Sequence, residues 1–145
     1  MTDPAPFPGL PVTVRSSHVD LFGHVSHMAW LEFMEWARFA WAAHVGAPIP
    51  QLIERDRMGP ALVKLEVRYR KEGRLGDELL VTVEPVSADH RLGRLRQEAR
   101  LQADGVVCCE AELTFAMIDL DSRRLRPMPE AWRGLPRARP AAARG

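Results

Sequence analysis

Asp20 opens the run Asp20-Leu21-Phe22-Gly23, with an acid at the first and a glycine at the fourth position of a type I turn. His24, His27 and Trp30 follow, then Glu35 and Arg38. The segment from Met28 to Val45 holds no proline or glycine, so a helix starts a few residues after the acid. A carboxylate in that position can act as a nucleophile or as a general base. The unsatisfied N–H groups and positive dipole end of the helix can hold developing negative charge. Asp20 also reads as a turn-former and helix cap, and one residue can do both. His24 and His27 read first as polar residues of a loop or first helical turn. Glu35 and Arg38, three apart, share a helical face and predict a local ion pair.

Other chemistries lack their residues. The chain has no G-x-S-x-G elbow, no phosphate-binding glycine loop, no C-x-x-C and no H-E-x-x-H, so neither a metal nor a cofactor is expected. Cys108 and Cys109 are neighbours inside a strand pattern, which predicts buried, inert thiols and no ordinary disulfide. Apart from Tyr69, aromatic residues do not interleave with basic ones on a sheet face, which disfavours nucleic acid.

Positioning Asp20 falls to the elements around it. Leu10–Ser17 reads as a short strand, and the helix over 28–45 is apolar around most of its circumference, which predicts burial. Gly46 and Pro48 stop it, and residues 47–61 read as a connection with one turn of helix near Gln51–Arg55. The period then falls to two: Val63 to Tyr69, Leu79 to Glu84, Arg94 to Leu101 and Cys109 to Met117 each alternate. The breaks at Glu72–Gly76, Ala88–Gly93 and Asp104-Gly105 predict antiparallel hairpins. The class is α+β: a five-stranded antiparallel sheet curled around one long central helix. One helix leaves edges and ends of such a sheet uncovered, so self-association is expected.

With 145 residues the chain fits one domain, expected over 10–130 behind an irregular leader at 1–9. The chain after Asp121 is rich in Pro, Arg and Ala and reads as loosely ordered, with 131–145 a basic tail that carries the slight positive balance of +1. No signal-like or membrane-spanning stretch is visible, and a cytoplasmic setting is the expectation.

The ordered set Asp20, Gly23, Val25, His27 and Trp30, continued by Glu35-x-x-Arg38 and by Gly76-Asp77 before an apolar strand, resembles the signature of the 4-hydroxybenzoyl-CoA thioesterase family of hot-dog-fold proteins. The resemblance spans about residues 10–130. His18 departs from the acidic residue of many relatives, and the pair Ser26-His27 from the Asn-Asn of one large subgroup. The resemblance implies hydrolysis of acyl-CoA or acyl-carrier-protein thioesters by a homodimer or homotetramer with sites at subunit interfaces. It implies Asp20 as nucleophile or general base, helix amides near His27 as oxyanion donors, and Glu35 as a secondary candidate. His27 could also orient the thioester or its water, and Gly23, His24 and Trp30 would line the substrate. Arg68, Arg70 and Lys71, with Arg91, Arg94 and Arg96, are candidates for the phosphates of CoA. A non-hydrolytic acyl-binding module of the same fold is the alternative, and a purely structural oligomerisation domain a third reading.

Overall fold

The computed structural model describes residues 5–88 and 91–133. In chain order the elements are β1 (Leu10–Thr13), α1 (His27–His44), α2 (Ile49–Glu54), β2 (Met58–Tyr69), β3 (Glu78–Val81), β4 (Glu84–Ala88), β5 (Leu92–Leu101) and β6 (Val107–Asp119). All strand pairs are antiparallel, in the order β1-β3-β5-β6-β2, with β4 also on β5. This is the expected hot-dog architecture: a curved sheet carrying one long helix.

The strand count is six because the expected third strand is broken. β3 and β4 lie on the same side of β5, Val81 opposite Ala99 and Glu84 opposite Arg96. At the break, the Thr82 hydroxyl accepts from the Glu98 N–H at 3.0 Å and so takes the place of a ladder carbonyl. A second irregularity falls between Pro85 and Ser87, where proline cannot donate to the ladder. β2 begins earlier than the alternation suggests, at Met58 instead of Val63. Pro60 is tolerated because β2 is an edge strand, where one row of N–H groups needs no neighbour.

Alternation sorts the sheet residues as the period predicts. Leu95, Gln97, Ala99, Leu113, Phe115 and Met117 are buried under α1, while Arg94, Arg96, Glu110 and Glu112 belong to the opposite face. Ala29, Trp30, Phe33, Met34, Ala37, Trp41 and Ala42 form the buried stripe of α1. The helix is not enclosed all round, however. Met28, Trp36 and Phe39 stay exposed, because one sheet covers only one side of a cylinder.

The chain beyond Asp121 departs from the loose order expected of it. Leu125 bridges Ile118, the Arg126 N–H donates to the Met117 carbonyl, and Met128 and Trp132 are buried in the core. Apolar anchors fix this segment where Pro and Arg alone suggest none. Residues 5–9 carry no helix or strand, and Phe7 packs edge-on against His44. Of the basic tail, residues 134–145 lie outside the described residues. Among the described residues no helix is long and apolar enough to cross a membrane.

Candidate active site

Asp20 stands at the tip of a miniature hairpin. Val19 bridges Val25, the Asp20 N–H donates to the His24 carbonyl at 2.9 Å, and the Gly23 N–H donates to the Asp20 carbonyl at 3.0 Å. Gly23 has φ +80°, a conformation that other residues adopt only with strain, so its spacing from Asp20 closes the turn. The Asp20 carboxylate is exposed, and its Oδ1 accepts from the Phe22 N–H at 2.9 Å. One oxygen is thereby oriented while the other stays available.

The hairpin leads directly into α1. The Ser26 N–H donates to the His18 carbonyl at 2.9 Å, and the Ser26 Oγ caps the helix by accepting from the Ala29 N–H at 3.1 Å. The N–H groups of His27 and Met28, at the first two helical positions, have no acceptor within the helix. The Val25 N–H donates to the Gly73 carbonyl at 2.8 Å, and His24 bridges Arg74, so the turn after β2 buttresses this end. Carboxylate, free amides and positive dipole end thus belong to one continuous piece of chain, residues 18–29.

The remaining candidates separate into groups. His27 is exposed at the helix start, where its carbonyl accepts from the Tyr69 hydroxyl at 3.3 Å. Partial desolvation, with the Cys109 charge adding, raises the Tyr69 phenol above its usual range, so it stays protonated and able to donate. Trp30 is core: it is buried, and Gly73 clears space for it, since a Cβ there would stand 3.0 Å from the ring. Glu35 and Arg38 do not form the expected ion pair. The Arg38 guanidinium instead donates to Gln97 Oε1 at 2.9 Å, and Gln97 Nε2 donates to the Met34 carbonyl at 3.0 Å. Burial lowers the Arg38 pKa, with the Glu35 charge opposing. Gln97 faces the core and reaches a partner at the distance a helix sits above a sheet, which Glu35 on the same helix does not.

Arg68 and Arg70 lie on the outer sheet face, away from α1, because they alternate with Tyr69. Arg70 is paired there with Glu110 at 3.0 Å, and Arg68 lines a shallow groove with Glu66, Arg96 and Glu112. Arg94 and Arg96 share that face, Arg96 being paired with Glu98 at 3.4 Å. Lys71 is exposed at the end of β2, in the turn that carries Arg74. The structure therefore brings Asp20, Gly23, His24 and His27 together, with Tyr69, Lys71 and Arg74 as neighbours along the chain or by hydrogen bond. Tyr69 and Arg74 were not singled out from sequence for this role. Tyr69 carried a signal as the lone aromatic in a basic strand; Arg74 carried none.

A cavity of about 340 Å³ lies further along α1, between its second half, α2 and the adjoining parts of β2 and β6. Glu35, Arg38, Phe39, Leu62, Phe115 and Trp132 are among its walls. Among the described residues no three His, Cys, Asp or Glu side chains gather as a metal site.

Comparison with known proteins bears on the family and the fold. The family model for the thioesterase-like superfamily matches residues 14–134. The long-chain acyl-CoA thioesterase FadM of Escherichia coli (strain K12) is 29% identical over 113 residues, which cover 78% of this chain and 84% of FadM. Slr0204, a 1,4-dihydroxy-2-naphthoyl-CoA thioesterase from Synechocystis, superposes with a TM-score of 0.78 at 20% identity over 85% of this chain and 90% of its own. SAV2348 from Staphylococcus aureus, solved in complex with CoA, gives a TM-score of 0.79 at 17% identity over 91% of this chain and 82% of its own.

Proposed function

The chain belongs to the thioesterase-like superfamily, and from that premise we propose that it hydrolyses acyl-CoA thioesters with Asp20 as the reacting carboxylate. The observation that carries this reading is the short path from Asp20 to the capped start of α1. In one route the free Asp20 oxygen attacks the thioester carbonyl, the C–S bond breaks, and water then cleaves the mixed anhydride. In the other, Asp20 takes a proton from water as the water attacks. Both routes release a free acid and the CoA thiol. The His27 and Met28 amides hold the carbonyl oxygen as it becomes an oxyanion, an interaction worth on the order of 10²–10³ in rate per donor. The Tyr69 hydroxyl, on the His27 carbonyl, fixes the first helical turn that carries them. Lys71 and Arg74, in the turn that His24 bridges, are the cations we assign to the phosphates of CoA.

The working unit we propose is a homodimer built on β2. This edge strand exposes Leu62, Val63 and Tyr69, an open row that another chain can extend. β2 runs from the cavity, at Pro60 and Leu62, to the helix start, at Tyr69. Antiparallel pairing about a two-fold axis near Leu65 sets Tyr69 of each protomer opposite Ala61 of the other. The cavity of one protomer then opens toward the Asp20 hairpin of its partner.

Thiol release from a panel of acyl-CoAs tests the catalytic reading. Asp20→Asn should lower kcat about 10²–10⁴-fold. The thermal midpoint should hold, because an asparagine Oδ1 still accepts from the Phe22 N–H. Full activity in that variant removes Asp20 from the chemistry. Saturable binding of acyl-CoA without turnover by the wild type would instead make the chain a binding module.

A further inference from the structure

One wall of the cavity is made by a residue from outside the sheet and helix. Trp132 sits on a single helical turn, Glu130–Trp132, in the segment that follows β6. It is 3% exposed, and its ring centroid lies 5.4 Å from that of Trp41 and 5.6 Å from that of Phe115. Its indole N–H donates to the Ala47 carbonyl at 3.3 Å. Two rings and a hydrogen bond therefore fix its orientation. The segment carrying it is fixed as well, because the Arg126 guanidinium donates to the Asp56 carbonyl at 2.7 Å and Met128 is buried. Trp132 is a wall that does not swing aside without breaking these contacts.

We infer that Trp132 sets the length of the acyl chain, making this a thioesterase for medium-chain acyl groups. The inference rests on the thioesterase reading above. A cavity of about 340 Å³ is somewhat more than twice the ~150 Å³ that holds one benzene. At six carbons per ~150 Å³ on that same scale, it takes roughly a dozen carbons. Its walls are mostly apolar, so each methylene that enters leaves water, worth about fourfold in kcat/KM. That gain ends where the chain meets the indole. Arg38, with its Nη1 already engaged by Gln97 at 2.9 Å, flanks the cavity without closing it. Gly59 lies in the same wall, and a Cβ there would rest 3.7 Å from Ile53 and 3.8 Å from Leu120, an ordinary contact that fills space without strain.

The test is a length series of straight-chain acyl-CoAs from four to eighteen carbons, read as kcat/KM. Calorimetric Kd values for the matching free fatty acids accompany it, for the wild type, Trp132→Phe, Trp132→Leu and Gly59→Ala. For the wild type, both profiles should climb about fourfold per methylene and turn over near ten to twelve carbons. Trp132→Leu should raise the ratio of sixteen-carbon to ten-carbon kcat/KM at least tenfold, and Trp132→Phe should raise it less. Gly59→Ala should move the turnover shorter by about one carbon. Hydrolysis with no turnover point, or with one that Trp132→Phe and Trp132→Leu leave in place, overturns the role of Trp132 and leaves the thioesterase reading intact. Fatty-acid Kd values that shift as described while no acyl-CoA is cleaved would do the opposite, supporting the gauge and ending the hydrolytic reading.

Discussion

Single side chains here are assigned by the face on which they stand. Cys108 and Cys109 are adjacent in β6, both are buried, and both thiols are pushed up, Cys109 to about 12, with burial as the largest cause. The neighbouring Cys108 and Glu110 charges add to the shift at Cys109. A native thiol held protonated does not attack a chromogenic disulfide. At pH 8 the folded protein should show no rapidly reacting thiol, and two should appear after unfolding in guanidinium. The linkage runs one way, because an acid weakened by folding stabilises the fold only while it keeps its proton. That contribution is complete below the unfolded thiol pKa near ~8.5 and is lost as pH rises toward the folded value. Denaturant midpoints should therefore fall between about pH 9 and 11, and a flat profile there would contradict buried thiols.

At the scale of elements, the site is a junction more than a pocket. The 19–25 hairpin, the start of α1 and the turn after β2 are tied by the Val25 to Gly73 and Ser26 to His18 backbone bonds. Ser26 is the hinge of that junction, because its hydroxyl leaves the His27 and Met28 amides as the free donors. Ser26→Ala should cost about 1 kcal/mol of stability, read from chemical denaturation, and should lower kcat more than it raises KM. Ser26→Asp, which caps equally well, should restore the stability. The buried Gln97 does a similar job further along, joining Arg38, the Met34 carbonyl and the sheet. A fully buried amide with both ends bonded fixes the height of α1 over the sheet.

For the molecule as a whole, one face remains unfinished. Leu21, Phe22, Met28, Trp36 and Phe39 are exposed around the Asp20 hairpin and the open side of α1, and Leu62, Val63 and Tyr69 along the β2 edge. An apolar margin of this kind is the surface that the proposed β2 dimer would cover. Val63 falls at the irregularity between Leu62 and Lys64, so it has no place in the ladder to β6. Sedimentation of the wild type should show the proposed dimer, and Val63→Glu should leave monomers. It should also abolish thiol release, because cavity and carboxylate then no longer meet. Retained activity in a monomeric variant would show that each chain works alone. The outer sheet face has another character: Arg70 pairs with Glu110, and Arg96 and Arg100 flank the buried Glu98, whose desolvation offsets much of what the pairing gains.

Local chemistry made much of this legible in the residues alone. Period two gave the strands, the proline-free run gave α1, and the Asp20–Gly23 spacing gave the turn, because each depends on neighbours within a few positions. The ordered set from Asp20 to Arg38 pointed to the family for the same reason, being one continuous stretch of chain. What needed the folded molecule was every pairing between distant positions. The partner of Arg38 is Gln97, 59 residues away, and no helical spacing could reveal it. The face on which Arg68 and Arg70 fall depends on the register of β2 against β6, where a shift of one residue would turn both inward. Trp132, in a stretch of Pro and Arg, became a core residue only because the sheet and α1 leave a gap of its size. Burial is a property of the surroundings, and a sequence records only what could be buried.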